Sequence, residues 1–156
     1  MTNVFLYAPQ DFHNVCLLAR TLEVFGQRDC FVFDPHGLIR ERYGKVRTRE
    51  LRVVSAGAFE KITWKRVDEP ERIFREHAGR VIATVAEPNA VPLASFEFSP
   101  TDLLLFGSES RGLPDDVAAA SAARITIPSE GETQSLNLSV AVGIVLFEWQ
   151  RQARQR

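Results

Sequence analysis

Two polar stretches in the last third of the chain carry residue types suited to holding a ligand. Gly107-Ser108-Glu109-Ser110-Arg111-Gly112 has glycine at both ends, which lets main chain approach a ligand closely and sets Glu109 and Arg111 on the rim. Gly-flanked polar turns are also ordinary connectors, so this stretch alone names no ligand. Ser135-Leu136-Asn137 opens a long apolar run and reads, by itself, as helix capping. Several familiar chemistries are excluded by what is missing. The first apolar run, Val4–Tyr7, is followed by Ala8-Pro9-Gln10, with no GxGxxG to receive a pyrophosphate and no Walker loop elsewhere. Cys16 and Cys30 lie outside any CxxC spacing, and His13, His36 and His77 are scattered, so neither a disulfide framework nor a metal site is expected. His36 stands in Asp34-Pro35-His36-Gly37, which reads as a turn with no group to orient the imidazole.

The elements that must position these residues alternate. Val4–Tyr7, Cys30–Phe33, Ile62–Val67, Val81–Val85, Leu103–Phe106 and Ile125–Ile127 read as strands; Asn14–Phe25, Pro70–His77, Pro114–Ala120 and Ser135–Arg151 read as helices. Pro70 suits a first helical turn, and Gly26 and Gly79 suit the stops. Ala86–Pro100 carries three prolines and is expected to cross the surface. The alternation predicts an α/β fold, a mostly parallel sheet with helices on both faces. In such a sheet ligands bind beyond the carboxyl ends of strands, which is where both polar stretches fall. The last helix is apolar almost all round, with Leu138 and Val140 through Phe147, and must be buried all round. One sheet covers one side of it, so either a second copy of the chain covers the other or the helix is central in a monomer.

The chain has 156 residues, 45% of them hydrophobic, which allows one sizeable core and a single domain spanning 1–156. A net charge of −1 argues against coating nucleic acid by bulk attraction. Two local basic segments still permit a phosphate-binding surface: Arg40, Arg42, Lys45, Arg47, Arg49 and Arg52, and the terminal Arg151, Arg154 and Arg156. No run approaches the roughly 20 apolar residues that cross a bilayer, and MTNVFLYAPQ lacks signal-peptide features. A soluble, cytoplasmic protein that does not engage membranes is expected.

Taken together, a helix start running from Asn14 to Arg20, a strand followed by GSESRGLP, and a strand, Pro128, a glycine-containing loop and SLNLSVA occur in this order. They resemble the three motifs of the SPOUT superfamily of RNA methyltransferases, specifically the SpoU branch that modifies ribose 2′-oxygens. The resemblance covers about residues 3 to 150, with one departure: Cys16 stands where the family usually has glycine. It implies that the C-terminal segment forms a trefoil knot. It implies S-adenosyl-L-methionine as cofactor, leaving as S-adenosyl-L-homocysteine, held through Thr84, Gly107, Ile127, Ser135 and Leu136. It further implies Arg20 as the central catalytic residue, supported by Asn14, Glu109, Ser135 and Asn137. Arginine keeps its proton in proteins, so Arg20 is expected to stabilise the developing ribose alkoxide and grip the adjacent phosphate, with the proton leaving to that phosphate or to water. Asn14 and Asn137 are expected to place the ribose or order the loops, Glu109 to orient Arg20 or anchor the knot, and Arg111 to face RNA or a second subunit. The partners implied are RNA, transfer RNA before ribosomal RNA, and a second copy of the chain joined through the C-terminal and first-motif helices. Two other readings remain open: a binding module with this fold that has lost transfer, for which Cys16 is the sole sequence feature, and an unknotted nucleotide-binding enzyme, for which the glycine pattern is missing.

Overall fold

Val4-Phe5-Leu6 and Leu103-Leu104-Leu105-Phe106 are uninterrupted apolar runs rather than alternating ones, and a strand of that kind must be buried on both faces. The computed structural model of the chain, which describes residues 3–39, 48–133 and 135–155, places them side by side in the middle of a seven-stranded sheet. The strands are β1 (Val4–Tyr7), β2 (Asp29–Phe33), β3 (Thr63–Val67), β4 (Val81–Thr84), β5 (Val91–Pro92), β6 (Leu103–Phe106) and β7 (Ala123–Thr126). Their order is β3-β2-β1-β6-β4-β7-β5, and every pair is parallel. The register sets Leu6 against both Val32 and Phe106, so the ends of β1, β2 and β6 open at one level.

The helices are α1 (Phe12–Val24), α2 (Thr48–Ser55), α3 (Pro70–Glu76), α4 (Asp115–Ala120) and α5 (Leu138–Ala153). On one face Val4, Leu6 and Leu104 pack with Val15, Leu18 and Leu22 of α1, Leu51 of α2, and Leu138, Val142, Val145 and Leu146 of α5. On the other, Phe5, Leu103 and Leu105 meet Val117 of α4 and Ile73 and Phe74 of α3. Both faces are thus covered, as the alternation of elements requires.

Boundaries and loops differ from the sequence reading in ways with local causes. Asp11, not Asn14, caps α1 by accepting from the His13 amide, so Asn14 lies inside the first turn. The last helix begins at Leu138 because Asn137 takes the capping position, accepting from Ser139 N; Ser135 is left in the loop. α2 was not among the expected elements. The 86–100 segment does more than cross the surface: Val91–Pro92 adds an edge strand beside β7, where a missing amide is tolerated, and Leu93, Phe96 and Phe98 are buried. Gly26 ends α1 at φ +68, as expected of a C-terminal glycine. Gly79 is no helix stop; an added Cβ there would lie 1.9 Å from the Thr101 carbonyl oxygen, so close packing demands glycine. The Asp34–Gly37 turn forms, with Gly37 N donating to Asp34 O and the Asp34 carboxylate accepting from Leu38 N and Ile39 N.

α5 is buried on one side only. Val140, Ile144 and Phe147 are 47%, 36% and 61% exposed, with Val24 of α1 beside them. Arg40 to Arg47 of the first basic segment and Arg156 of the second lie outside the described residues, as does the side chain of Arg49. Among the described residues no helix is long and apolar enough to cross a membrane, and no group of three or more His, Cys, Asp or Glu side chains is placed to hold a metal ion.

Candidate active site

The loops after β4, β6 and β7 and the start of α5 enclose a cavity of about 530 Å³, within the range of small-molecule sites. Thr84, Gly107, Ile127, Ser135 and Leu136 all line it, so the five residues expected to hold a cofactor converge in space from three separate loops between positions 84 and 136. Phe106, Leu138 and Ala141 supply apolar wall, and Glu109, Arg111 and Glu87, which Arg124 holds at 2.8 Å, stand at its polar side. Arg111, expected to face RNA or a second subunit, lines this cavity while staying exposed to solvent.

Two features fit a bound molecule. The Thr84 hydroxyl is buried with no hydrogen-bond partner, a costly state that a ligand's polar atom relieves. An added Cβ at Gly107 would fall 2.1 Å from the Gly112 carbonyl carbon, so the turn closes tightly only because Gly107 has no side chain. Gly112 sits at φ +65, and Ser108 and Gly112 exchange both main-chain hydrogen bonds, 3.0 and 2.9 Å, closing the turn at its base.

The remaining expected residues divide. Glu109 accepts from Gln10 N (2.8 Å), Asp11 N (3.3 Å) and Asn14 Nδ2 (3.2 Å), so a carboxylate from the β6 turn sits at the N-terminus of α1, where negative charge is favoured. Asn14 Oδ1 accepts from Asn137 Nδ2 at 2.8 Å, and Asn137 Oδ1 accepts from Ser139 N and Oγ at 2.9 and 2.7 Å. Glu109, Asn14 and Asn137 therefore form one relay that ties three separate segments together. The relay uses the side-chain oxygen and one N–H of each asparagine amide, which orders the loops and leaves each amide a second N–H.

Arg20 does not line this cavity. It lies on an adjacent groove with Val24, Ser139, Val140, Ile144 and Phe147, exposed to solvent. Six residues along a helix separate it from Asn14 by about 9 Å of axial rise. Ser139 belongs to this groove and also donates to Asn137, so groove and cavity abut across the first turn of α5. Ser135 is exposed within the cavity rather than capping a helix. Cys16 is 2% exposed in the core, and burial first, then the charge of Asp11, pushes its thiol up to about 11. α1 runs unbroken through it, so the one feature cited for an inactive module touches neither cavity nor groove.

Sequence reasoning missed Gln10, Asp11 and Ser110. Asp11 before an apolar-periodic run is a capping signal that would have moved the helix start; Gln10 and Ser110 meet only through tertiary structure and carry no local signature.

The SpoU rRNA Methylase family model matches residues 1–147. The chain is 26% identical over 147 residues to the tRNA (guanosine(18)-2'-O)-methyltransferase of Aquifex aeolicus, covering 92% of this chain and 66% of that protein. A solved structure concerned with 2-OH methylation of C/U34 on tRNA superposes with a TM-score of 0.81 at 29% identity, covering 98% of this chain and 96% of the other. The AdoMet-bound rRNA methyltransferase of Sinorhizobium meliloti gives a TM-score of 0.79 at 27% identity, with 96% of this chain covered but 56% of that one. The chain thus spans just under two thirds of the first of these proteins and just over half of the last.

Proposed function

Because the chain belongs to the SpoU rRNA methylase family and has the fold of the SPOUT class, we propose that it transfers a methyl group from S-adenosyl-L-methionine to a ribose 2′-hydroxyl of RNA. The observation that carries this reading is the cavity itself. It gathers Thr84 with its unpartnered hydroxyl, the Gly107–Gly112 closure, Ile127, Ser135 and Leu136, and joins them through Glu109 to the helix bearing Arg20. The cofactor, when bound, supplies a methyl group already activated by its sulfonium charge.

The chain's own task is to align the acceptor and handle one proton. Arg20, exposed at the edge of the groove beside Ser139, grips the phosphate next to the target ribose and stabilises charge growing on the 2′-oxygen; the proton departs to that phosphate or to water. Glu109, Asn14 and Asn137 act through position, fixing α1 against the turn after β6 and the start of α5. Ser135, exposed on the cavity wall, is the hydroxyl best placed to meet the substrate.

The working unit is a single 1–156 domain paired as a homodimer through α5 and α1. Exposed Val24, Val140, Ile144 and Phe147 support this, because an apolar groove of this kind is unfavourable in water, and Arg20 at its edge stays free for RNA. The trefoil knot belongs to the same reading, supported by β7 lying between β4 and β5 while the helix after it returns to α1. Transfer RNA is the favoured acceptor, since two of the three similar proteins act on tRNA by name, and a cytoplasmic location follows from that substrate. RNA contact falls to Arg20, Arg111, Arg154 and the Arg40–Arg52 segment. Arg151 is less available, being held by Glu148 at 2.6 Å.

The test is transfer of tritiated methyl from S-adenosyl-L-methionine to undermodified RNA. The wild type labels the RNA, and Arg20→Ala lowers turnover by about 10²–10³ while calorimetry shows cofactor affinity nearly unchanged. Comparable turnover in Arg20→Ala overturns the assignment of that residue. Binding without transfer by the wild type favours a binding module.

A further inference from the structure

The loop between β1 and α1 is built under strain. Ala8 sits at φ +51, a left-handed conformation costly for any residue with a Cβ, and its amide is held by Phe33 O at 2.8 Å. Strained backbone persists where its surroundings over-determine it, and such places cluster at functional sites. What the strained residue aims is Gln10. The main-chain amide of Gln10 donates to Glu109 Oε2, and its side-chain Oε1 accepts from Ser110 Oγ at 2.6 Å and from Ser110 N at 3.3 Å. The turn after β6 closes its own base through Ser108 and Gly112, but its tip, Glu109-Ser110-Arg111, is held by the β1–α1 loop. Ser110 and Arg111 both line the cavity.

Resting on the methyltransferase reading above, we propose that Gln10 is a positioning residue: as the acceptor that pins Ser110, it sets the tip of the turn and hence the mouth of the cofactor cavity. Only its carbonyl oxygen is used in this grip, so the role requires an acceptor and not an amide. Removing it leaves the base of the turn closed and the fold intact while the tip loosens.

The test compares Gln10→Ala, Gln10→Met, Ser110→Ala and the Gln10→Ala/Ser110→Ala double variant in the full-length protein. Gln10→Ala raises the dissociation constant of S-adenosyl-L-methionine and its KM by about five- to tenfold, the scale of one hydrogen bond, with a smaller change in kcat. Gln10→Met, which keeps the length of the side chain without its carbonyl oxygen, loses about as much as Gln10→Ala. The double variant is no weaker than Gln10→Ala alone, because both deletions remove the same contact. Amide hydrogen exchange quickens at Ser110 in Gln10→Ala and stays unchanged at Gly112. The proposal is overturned if Gln10→Ala matches wild type in both binding and Ser110 exchange, if Gln10→Met matches wild type, or if the single losses multiply in the double variant. A wild-type protein that binds no cofactor refutes the methyltransferase reading, and the exchange comparison then still judges the grip of Gln10 on the turn.

Discussion

Glu109 gathers three donors nearly a hundred residues earlier in the chain, two from the loop before α1 and one from Asn14 in its first turn. Replacing Glu109 by glutamine puts an NH₂ group where one oxygen accepted, so at least one of the three donors loses its acceptor. Urea unfolding of Glu109→Gln should therefore show a loss of about 1–2 kcal/mol, and its S-adenosyl-L-methionine affinity should fall as the turn shifts. Unchanged stability would mean that the relay is ornamental. At this scale the residue types were legible but their roles were not. Asn14 and Ser135 had the chemistry of caps, yet capping fell to Asp11 and Asn137, which are three residues earlier and two later in the chain. Which of several neighbouring polar side chains meets an orphan amide is decided by backbone angles at the helix start, and a string of residue types does not carry them.

Among the elements, α2 ends at Ser55 and the chain leaves it through Ala56 at φ +50, a conformation that favours glycine. Ala56 is exposed, so Ala56→Gly removes strain at the cost of added unfolded-state entropy, and thermal unfolding should show a net gain of about 0.5 kcal/mol. The last turns of α5 carry a pH signature. Arg151 donates to both oxygens of Glu148 at 2.6 and 2.7 Å, and this, opposed by burial and aided by Gln152, holds the Glu148 carboxyl down to about 2 against an ordinary 4.5. Because the folded value is the lower one, the pair stabilises fully above about pH 4.5 and progressively less as pH falls from there toward 2. The melting-temperature gap between wild type and Glu148→Gln should close over that interval; a gap constant from pH 6 to 2 would contradict the assignment. Long elements with unbroken apolar runs were readable in advance. β5 was not, since two residues including Pro92 give no period to detect and pair only because β7 lies alongside.

For the whole molecule, the parallel sheet and its two covered faces followed from strands too apolar to have a wet side. The burial all round expected of α5 from its lack of a polar stripe is not met within one chain, where Val140, Ile144 and Phe147 stay exposed. The cavity had no periodic signal; it was reached, like the proposed knot, through motif order. The uncovered groove makes a prediction at this scale. Phe147, 61% exposed, is free of the core cluster, so Phe147→Asp should leave the melting behaviour of the monomer fold intact while sedimentation velocity shifts from dimer to monomer. Loss of methyl transfer together with the dimer would tie Arg20, which shares that groove, to the paired state.

The measurement that bears most directly on the proposed activity is a transcriptome-wide map of ribose 2′-O-methylation in cells lacking this protein. One methylated position, in a transfer RNA, should vanish, return with the wild-type chain and stay absent with Arg20→Ala. A map identical to that of the parent cells would contradict the account.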